Sequence, residues 1–537
     1  MNVSGRIAWN SVVAWLSSLV GAIGGFVLVR YLVDSLGITE YGVVELLDTL
    51  VVFTMLSDLG LRGALGRHLT EHVARGDQRR VNELLTLSVA CYLVIGLVLF
   101  GALWFAAPWL ATLFQIHGAE RDSTIWLIRL FVPSYTLVMF VGTSFSALIE
   151  SYHRFDWVDL THTLEIVLRL TLIAVAISVL GMGLKGWAAG YLLAKLIAAS
   201  IYAWQARRLS PGVAIAPRYL GWSASRELFT LGGLMLVYQL VLKLSAQTDP
   251  LVLGGFLGPT AVALYKPAFR LITAASPFVA VLSRQFRPLA TDYHVQGRHE
   301  LVHELLVRGT RLSLLLALPF STVLFCFAFP LVRLWLAKPE FEITAWLLML
   351  WVLADLAASA AGTQFQLLLG VNQVRFVVAT QAVAAMVNLG ASLALVAWLT
   401  ATGRGVNACL IAILVPTIAT AWLQRLLVTW HVAGVTQLGL WRYLRSGFLP
   451  AAVVGAILMV FGIGLNWLAR PQSWQALAFC AVSVGLVWLA LTWLIGLDSE
   501  DRRRITRLAR RSPDPKPVAE PMAASATPSS CDSSASM

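Results

Sequence analysis

Charge is scarce in this sequence. Only 13% of its 537 residues are Asp, Glu, Lys or Arg, against about 25% in an ordinary soluble domain, and 58% are hydrophobic. A chain so poor in polar surface cannot stay in water as a monomeric domain. Cysteine is scarce too: Cys91, Cys326, Cys409 and Cys480 lie in apolar runs and Cys531 near the C-terminus, without the paired spacing of a metal site or a disulfide framework. No connection between apolar runs exceeds about 30 residues, which leaves no room for a soluble catalytic domain. These absences exclude a soluble enzyme, a fibrous protein, a disulfide scaffold and a nucleic-acid binder, despite a net charge of +12. No cofactor and no metal are expected.

What is present is long apolar segments. The stretches between Glu83 and Glu120, from Ser446 to Ala469 and from Pro471 to Leu497 hold no acidic, Lys or Arg residue except at their limits, and each exceeds the roughly 20 residues that cross a bilayer. The apolar run from Trp9 to Val33 leads into a second span without a cleavage site, so it reads as the first crossing and not as a signal peptide. The pattern predicts an all-α polytopic membrane protein with about fourteen spans, at 9–33, 40–61, 84–106, 123–149, 159–180, 183–206, 228–249, 260–283, 312–332, 343–369, 375–399, 405–430, 446–469 and 474–497. With the N-terminus placed in the cytoplasm, 27 Lys and Arg residues fall on cytoplasmic segments and six on outer ones. That bias predicts cytoplasmic N- and C-termini. Arginine outnumbers lysine 34 to 6, which genome base composition explains as readily as phosphate recognition. Beyond residue 498 the run Arg502 to Arg511 is expected to lie against anionic headgroups, and the Pro, Ala and Ser mixture after it to be disordered.

The chain repeats itself at an offset of about 221 residues. Leu36-Gly37-x-Thr39 returns as Leu257-Gly258-x-Thr260. Thr70, Glu71, Gly76, Val81, Glu83 and Leu84 return as Thr291, Asp292, Gly297, Val302, Glu304 and Leu305. Gly142-Thr143-x-Phe145 returns as Gly362-Thr363-x-Phe365, and Gly181-x-Gly183 as Gly403-x-Gly405. An offset of six spans preserves orientation, so two parallel six-helix lobes are predicted, with two helices appended. The expected division is an N-lobe at 1–207, a C-lobe at 208–432, spans 13 and 14 at 433–497 and a cytoplasmic tail at 498–537.

Within this frame Leu36-Gly37-x-x-x-Tyr41-Gly42, Asp58-Leu59-Gly60-Leu61 and Glu71 through Gly76-Asp77 resemble the polysaccharide transporter (Wzx-type, oligosaccharide flippase) branch of the MOP flippase superfamily. Leu369-Gly370-x-Asn372-x-x-Arg375 is similar to the second-lobe counterpart. The resemblance implies two lobes around a central cavity lined by spans 1, 2, 7 and 8, opening alternately to the two sides of a bacterial inner membrane. It also implies a substrate built of an oligosaccharide on undecaprenyl pyrophosphate, destined for O-antigen, capsule or exopolysaccharide. Membrane lipids, a polysaccharide polymerase and a chain-length regulator are the implied partners. A multidrug exporter of the related MATE branch shares the two-lobe plan, and an integral-membrane glycan polymerase or ligase is the third reading.

Ionisable residues inside spans are costly and are functional candidates by default. Arg30, Asp58 and Asp249 fall near span ends, where snorkelling suffices. Glu165 and Arg169 stand i,i+4 in the favourable order for a self-neutralising pair. Lys195 and Asp355 lie near mid-span, to pair with another helix or to bind a coupling ion. Lys266 and Arg270, also i,i+4, are like charges suited to a pyrophosphate or to outer headgroups. Lys266, Arg270, Lys243 and Arg30 are therefore the candidate substrate contacts, and Glu45, Asp48, Glu165, Arg169, Lys195 and Asp355 the candidate gate or coupling residues. The repeat offset sets Lys266 opposite Glu45 and Arg270 opposite Thr49, at similar depth from the outer end. If spans 2 and 8 both line the cavity, acids and bases face each other as an ion-pair gate.

Overall fold

A computed structural model describes residues 3–58, 60–221 and 233–510. Leu59, residues 228–232 at the start of the predicted seventh span and the Pro, Ala and Ser tail, on which sequence expectations were placed, lie outside the described residues. Among the described residues the fold is all helical, without a strand.

The first helix, α1, runs Val3–Thr54, far too long for one crossing at 1.5 Å per residue. It is broken at Gly37, whose φ of 83° and ψ of 174° fit glycine and not a helix. Its two limbs are spans 1 and 2. There follow α2 (Leu61–Arg75), α3 (Gln78–Leu113), α4 (Ala119–Ser151), α5 (Phe155–Ala174) and α6 (Gly183–Leu209). The second lobe holds α7 (Gly233–Leu257), α8 (Pro259–Val295), α9 (His299–Cys326), the short α10 (Ala328–Leu336), α11 (Glu342–Gly370), α12 (Val374–Ala401), α13 (Val406–Ala412) and α14 (Leu414–Val435). A turn of helix, α15 (Leu440–Tyr443), leads into α16 (Leu449–Ala469), α17 (Trp474–Leu491) and α18 (Ser499–Arg510). Eleven helical stretches among the described residues are long and apolar enough to cross a membrane. Counting the two limbs of α1 separately and adding α7 and α8 accounts for the fourteen expected spans.

The repeat is visible in the backbone. Gly258 takes the torsions of Gly37, with φ 79° and ψ −174°. Gly76 and Gly297 are left-handed at φ 70° and 68°, and Gly181 and Gly403 at 62° and 68°. The hydrogen bonds around the second pair correspond one for one: Gly76 N–H to Val73 O, Asp77 N–H to His72 O and Val81 N–H to Asp77 O match Gly297 to His294, Arg298 to Tyr293 and Val302 to Arg298. Symmetry fails at Gly60, whose left-handed φ of 78° separates α2 from α1, whereas α8 continues unbroken through the equivalent position. This break makes α2 a separate helix where the sequence reading had a loop.

Call the face bearing the start of α1 and the start of α18 the terminal side, and the other the distal side. Near the distal side one apolar core joins both lobes, combining Leu28 to Val51 of α1 with Val262 to Ile272 of α8 and Ile343 to Val352 of α11. Toward the terminal side the core divides. One cluster holds Leu69, Val81, Leu85 and Leu148, and a separate one holds their counterparts Ala290, Val302, Leu306 and Leu368. The lobes are thus fused distally and parted terminally.

The appended helices are pinned by charge. Arg311 of α9 is 1% exposed and meets Asp498 at 2.5 Å and also Asp501, while Arg308 meets Glu500 at 2.7 Å and Asp501 at 3.4 Å. The sequence reading had placed both arginines outside the spans and had assigned no role to the acidic residues ahead of the Arg502 to Arg511 run; that acidic first turn docks on the C-lobe. Removing the partners of a buried charge costs about 3 kcal/mol or more. The double variant Asp498→Asn/Asp501→Asn is expected to melt several degrees lower in detergent, followed by intrinsic tryptophan fluorescence; an unchanged melting curve would contradict the docking.

Candidate functional site

The seam between the lobes is built by α1 and α8. Gly42, one turn into the second limb of α1, lies against the start of α8 so closely that a Cβ there would stand 2.0 Å from the carbonyl oxygen of Pro259. That approach carries the next turn of α1 onto α8, and Glu45, with 0% exposure, meets Arg270 at 2.8 Å. The Tyr41 hydroxyl faces the same carboxylate, and Asp48 acts electrostatically on Lys266, Arg270 and Arg169. Lys266 is 3% exposed and donates to Gln247 Oε1 at 3.1 Å. The repeat offset had set Lys266 against Glu45; the ion-pair partner is Arg270, because Lys266 turns toward α7 and Arg270, one turn on, points at α1. In a water-poor interior such a pair holds only while both members are present.

Arg270 is one-third exposed, and its free side looks into a 590 Å³ cavity between the first limb of α1 and α8. Gly21, Gly25 and Phe26 line one wall, Thr273 and Ala274 the other, with Trp335 of α10 nearby. Apart from Ser18, Thr273 and Arg270 the walls are apolar. Beyond it lies a second closure, where the rings of Phe26 and Trp335 stack at 4.4 Å and Trp335 Nε1 donates to Phe26 O at 2.9 Å. Arg30 donates to Trp335 O at 2.6 Å and pairs with Asp34 at 2.5 Å, while Lys338 donates to Val33 O at 2.8 Å. Arg30 therefore sits in this distal seal with its charge balanced.

Toward the terminal side a polar cavity of 470 Å³ opens between the lobes. Asp58, Arg62, Glu150, Asp159, His162, Glu165 and Lys195 come from the N-lobe and Lys243 from α7. Glu165 pairs with Lys195 at 2.7 Å across the α5–α6 contact. This corrects the expected Glu165–Arg169 pair: Arg169 lies instead over the ring of Tyr191 at 4.8 Å, in an aromatic cluster with Tyr135 and Trp187. Asp58 accepts a hydrogen bond from Tyr92 at 2.5 Å, and Arg62 meets Glu150 at 3.2 Å.

Three further ionisable groups of the C-lobe lie within its helices. Asp355 accepts a long hydrogen bond from Ser359 at 3.5 Å. Asp249, read from sequence as a span-end residue, is 5% exposed because α7 continues to Leu257; it accepts from Tyr265 at 2.7 Å and Thr417 at 3.2 Å. Arg425, tallied with the cytoplasmic charges although the predicted span 405–430 contains it, is 3% exposed inside α14, donates to Gln364 at 2.7 Å and covers the ring of Phe448. Sequence reasoning also passed over Trp335, Arg311 and the contact of Gly42. The small-residue position after Tyr41 was the one available signal for the last. Among the described residues no group of three or more His, Cys, Asp or Glu could hold a metal ion.

The sequence profile of the Polysacc_synt family, polysaccharide biosynthesis protein, matches residues 7–285, just over half of the chain and all of the α1–α8 seam. The chain belongs to this family. It is a member of the Wzx-type, oligosaccharide flippase branch of the MOP superfamily. A curated relative, the uncharacterized membrane protein EpsK of Bacillus subtilis (strain 168), is 22% identical over 323 residues, covering 59% of this chain and 63% of that protein. Among solved structures, an inward-facing multidrug resistance MATE family transporter of the MOP superfamily aligns with a TM-score of 0.66 at 13% identity, over 80% of this chain and 99% of its own. The lipid II flippase MurJ in an inward closed conformation aligns equally well, at 0.66 and 11% identity, over 90% and 98%. The chain thus shares the fold of the MATE transporter and of MurJ, and it is a multi-pass membrane protein.

Proposed function

We propose that the protein carries an oligosaccharide linked to undecaprenyl pyrophosphate from the cytoplasmic to the outer leaflet of a bacterial inner membrane, by alternating access, for O-antigen, capsule or exopolysaccharide assembly. The observation that carries this reading is the division of the core, one cluster distally and two terminally, with a charged pair at the seam where the lobes would part. The terminal side takes the cytoplasmic role because it holds the basic loops, and the lobes divide at 1–207, 208–432 and 433–497. The apolar cavity beside α1 suits a polyprenyl chain, and Arg270 at its end suits a phosphate, to which guanidinium offers two parallel donors. The polar cavity has the hydroxyl, carboxylate and ammonium groups that a glycan needs. Glu45 and Arg270 act as the distal gate, with Arg30 in the seal beyond it; Lys266, Lys243 and Arg270 serve the pyrophosphate as the lobes rock; Asp48, Glu165, Arg169, Lys195 and Asp355 tune the electrostatics of the motion. A polymerase and a chain-length regulator would take over the delivered repeat unit.

Deletion of the gene in its host is the test. Lipid-linked repeat units are expected to accumulate, still shielded from enzymes added outside, while surface polysaccharide falls at least tenfold. Unchanged surface polysaccharide with no accumulation would overturn the reading.

A further inference from the structure

The polar cavity carries a charge pattern that bears on which glycans fit, given the lipid-linked reading above. Two ion pairs balance four of its ionisable groups, Arg62 with Glu150 and Lys195 with Glu165, while Asp58 keeps its charge and accepts a hydrogen bond from the Tyr92 hydroxyl. Three charged groups remain without an ion-pair partner among the described residues: Asp58, Asp159 of α5 and Lys243 of α7. The two acids stand on the N-lobe and Lys243 on the C-lobe. The charged groups acting on Asp159 are Glu150 and Asp156, so negative potential is concentrated at that wall. In all, the N-lobe lines the cavity with four carboxylates and two cations, and α7 faces them with one free ammonium.

A cavity with one basic and one acidic wall orients a ligand that is anionic at one end and neutral or cationic at the other. We propose that the cavity selects lipid-linked glycans by sugar charge, with Lys243 drawing the pyrophosphate and Asp159 accepting hydrogen bonds from the hydroxyl or amino groups of a neutral or amino sugar. A uronic acid in the same place would set its carboxylate against Asp159 and Glu150, in a cavity where like charges a few ångströms apart repel strongly. Rejection of anionic sugars then comes from repulsion built into the wall, and not from shape.

The test uses full-length protein in nanodiscs and three probes: undecaprenyl pyrophosphate bearing a single N-acetylglucosamine, glucosamine or glucuronic acid. Binding is followed by native mass spectrometry. The glucuronate lipid is expected to bind at least tenfold more weakly than the N-acetylglucosamine lipid, and the glucosamine lipid at least as tightly. Asp159→Asn, which preserves shape, should bring the three within about threefold of one another, and Asp159→Lys should make glucuronate the preferred probe. Lys243→Gln should weaken all three alike. Equal binding of the three by the unaltered protein, or discrimination that survives Asp159→Asn, would overturn the proposal. Failure of all three to bind would overturn the lipid-linked reading itself, and this inference with it.

Discussion

Glu45→Lys and Arg270→Glu are each expected to cut repeat-unit export at least tenfold, and the double swap to restore most of it. In the unaltered chain the pair meets at 2.8 Å with Glu45 wholly buried. Removing one member of such a pair costs about 3–5 kcal/mol, most of it the penalty of the charge left behind. At about 1.4 kcal/mol per tenfold change in an equilibrium, the distal-closed state would fall from dominant to minor in each single variant. The swap rebuilds the attraction with its sign reversed. Lys266→Glu should fail to rescue Glu45→Lys, because Lys266 donates to Gln247 on α7. Rescue by Lys266→Glu and not by Arg270→Glu would show that the seam is paired differently.

Gly42→Ala is expected to have a comparable effect by steric means. The new methyl would stand 2.0 Å from the carbonyl oxygen of Pro259 and 2.4 Å from its carbon. Both are backbone atoms that no rotamer change can move, so α1 and α8 must separate at the point where the distal closure begins. Overpacking of this kind costs about 1–3 kcal/mol or more, charged to the closed state alone because the contact exists only while the lobes meet. The population therefore shifts toward distal opening. A cysteine at Val33, which is 0% exposed, should be silent to an impermeant maleimide in the parent and react at least tenfold faster in the Gly42→Ala background. An unchanged rate would mean that the contact does not govern opening.

Much of this architecture was legible from sequence because backbone requirements leave marks. Gly37 and Gly258 must be glycine at φ near 80°, and so must Gly76 and Gly297 at φ near 70°; a repeat that preserves such positions preserves the turns between spans. The shared depth of Glu45 and Asp48 with Lys266 and Arg270 followed from helical rise alone. The choice of partner did not follow. Whether Glu165 turns to Arg169, four residues away, or to Lys195, thirty residues away, depends on how α5 packs on α6, and no spacing rule contains that packing. Asp249 and Arg311 were misplaced for a different reason. Helices here extend well past the apolar windows, as α7 does to Leu257 and α9 does back to His299, so a residue read as a span end and one read as lying outside a span both sit within packed helix. The docking of Asp498 and Asp501 on Arg311 joins segments 187 and 190 residues apart, and acid residues beside an arginine run carry no sign of which they will meet.

The central claim is that closure of the α1–α8 seam on one side and its release on the other moves a lipid-linked glycan across the bilayer. The most direct measurement reconstitutes the purified protein in liposomes whose undecaprenyl pyrophosphate-linked oligosaccharide is confined to the inner leaflet, and follows the glycan's exposure to an externally added glycosidase. The account predicts exposure that depends on the protein, stops when cysteines at the distal ends of α1 and α8 are crosslinked, resumes on reduction, and is slow in Glu45→Lys but recovered in Glu45→Lys/Arg270→Glu. Exposure that proceeds unchanged through a complete distal crosslink would contradict it.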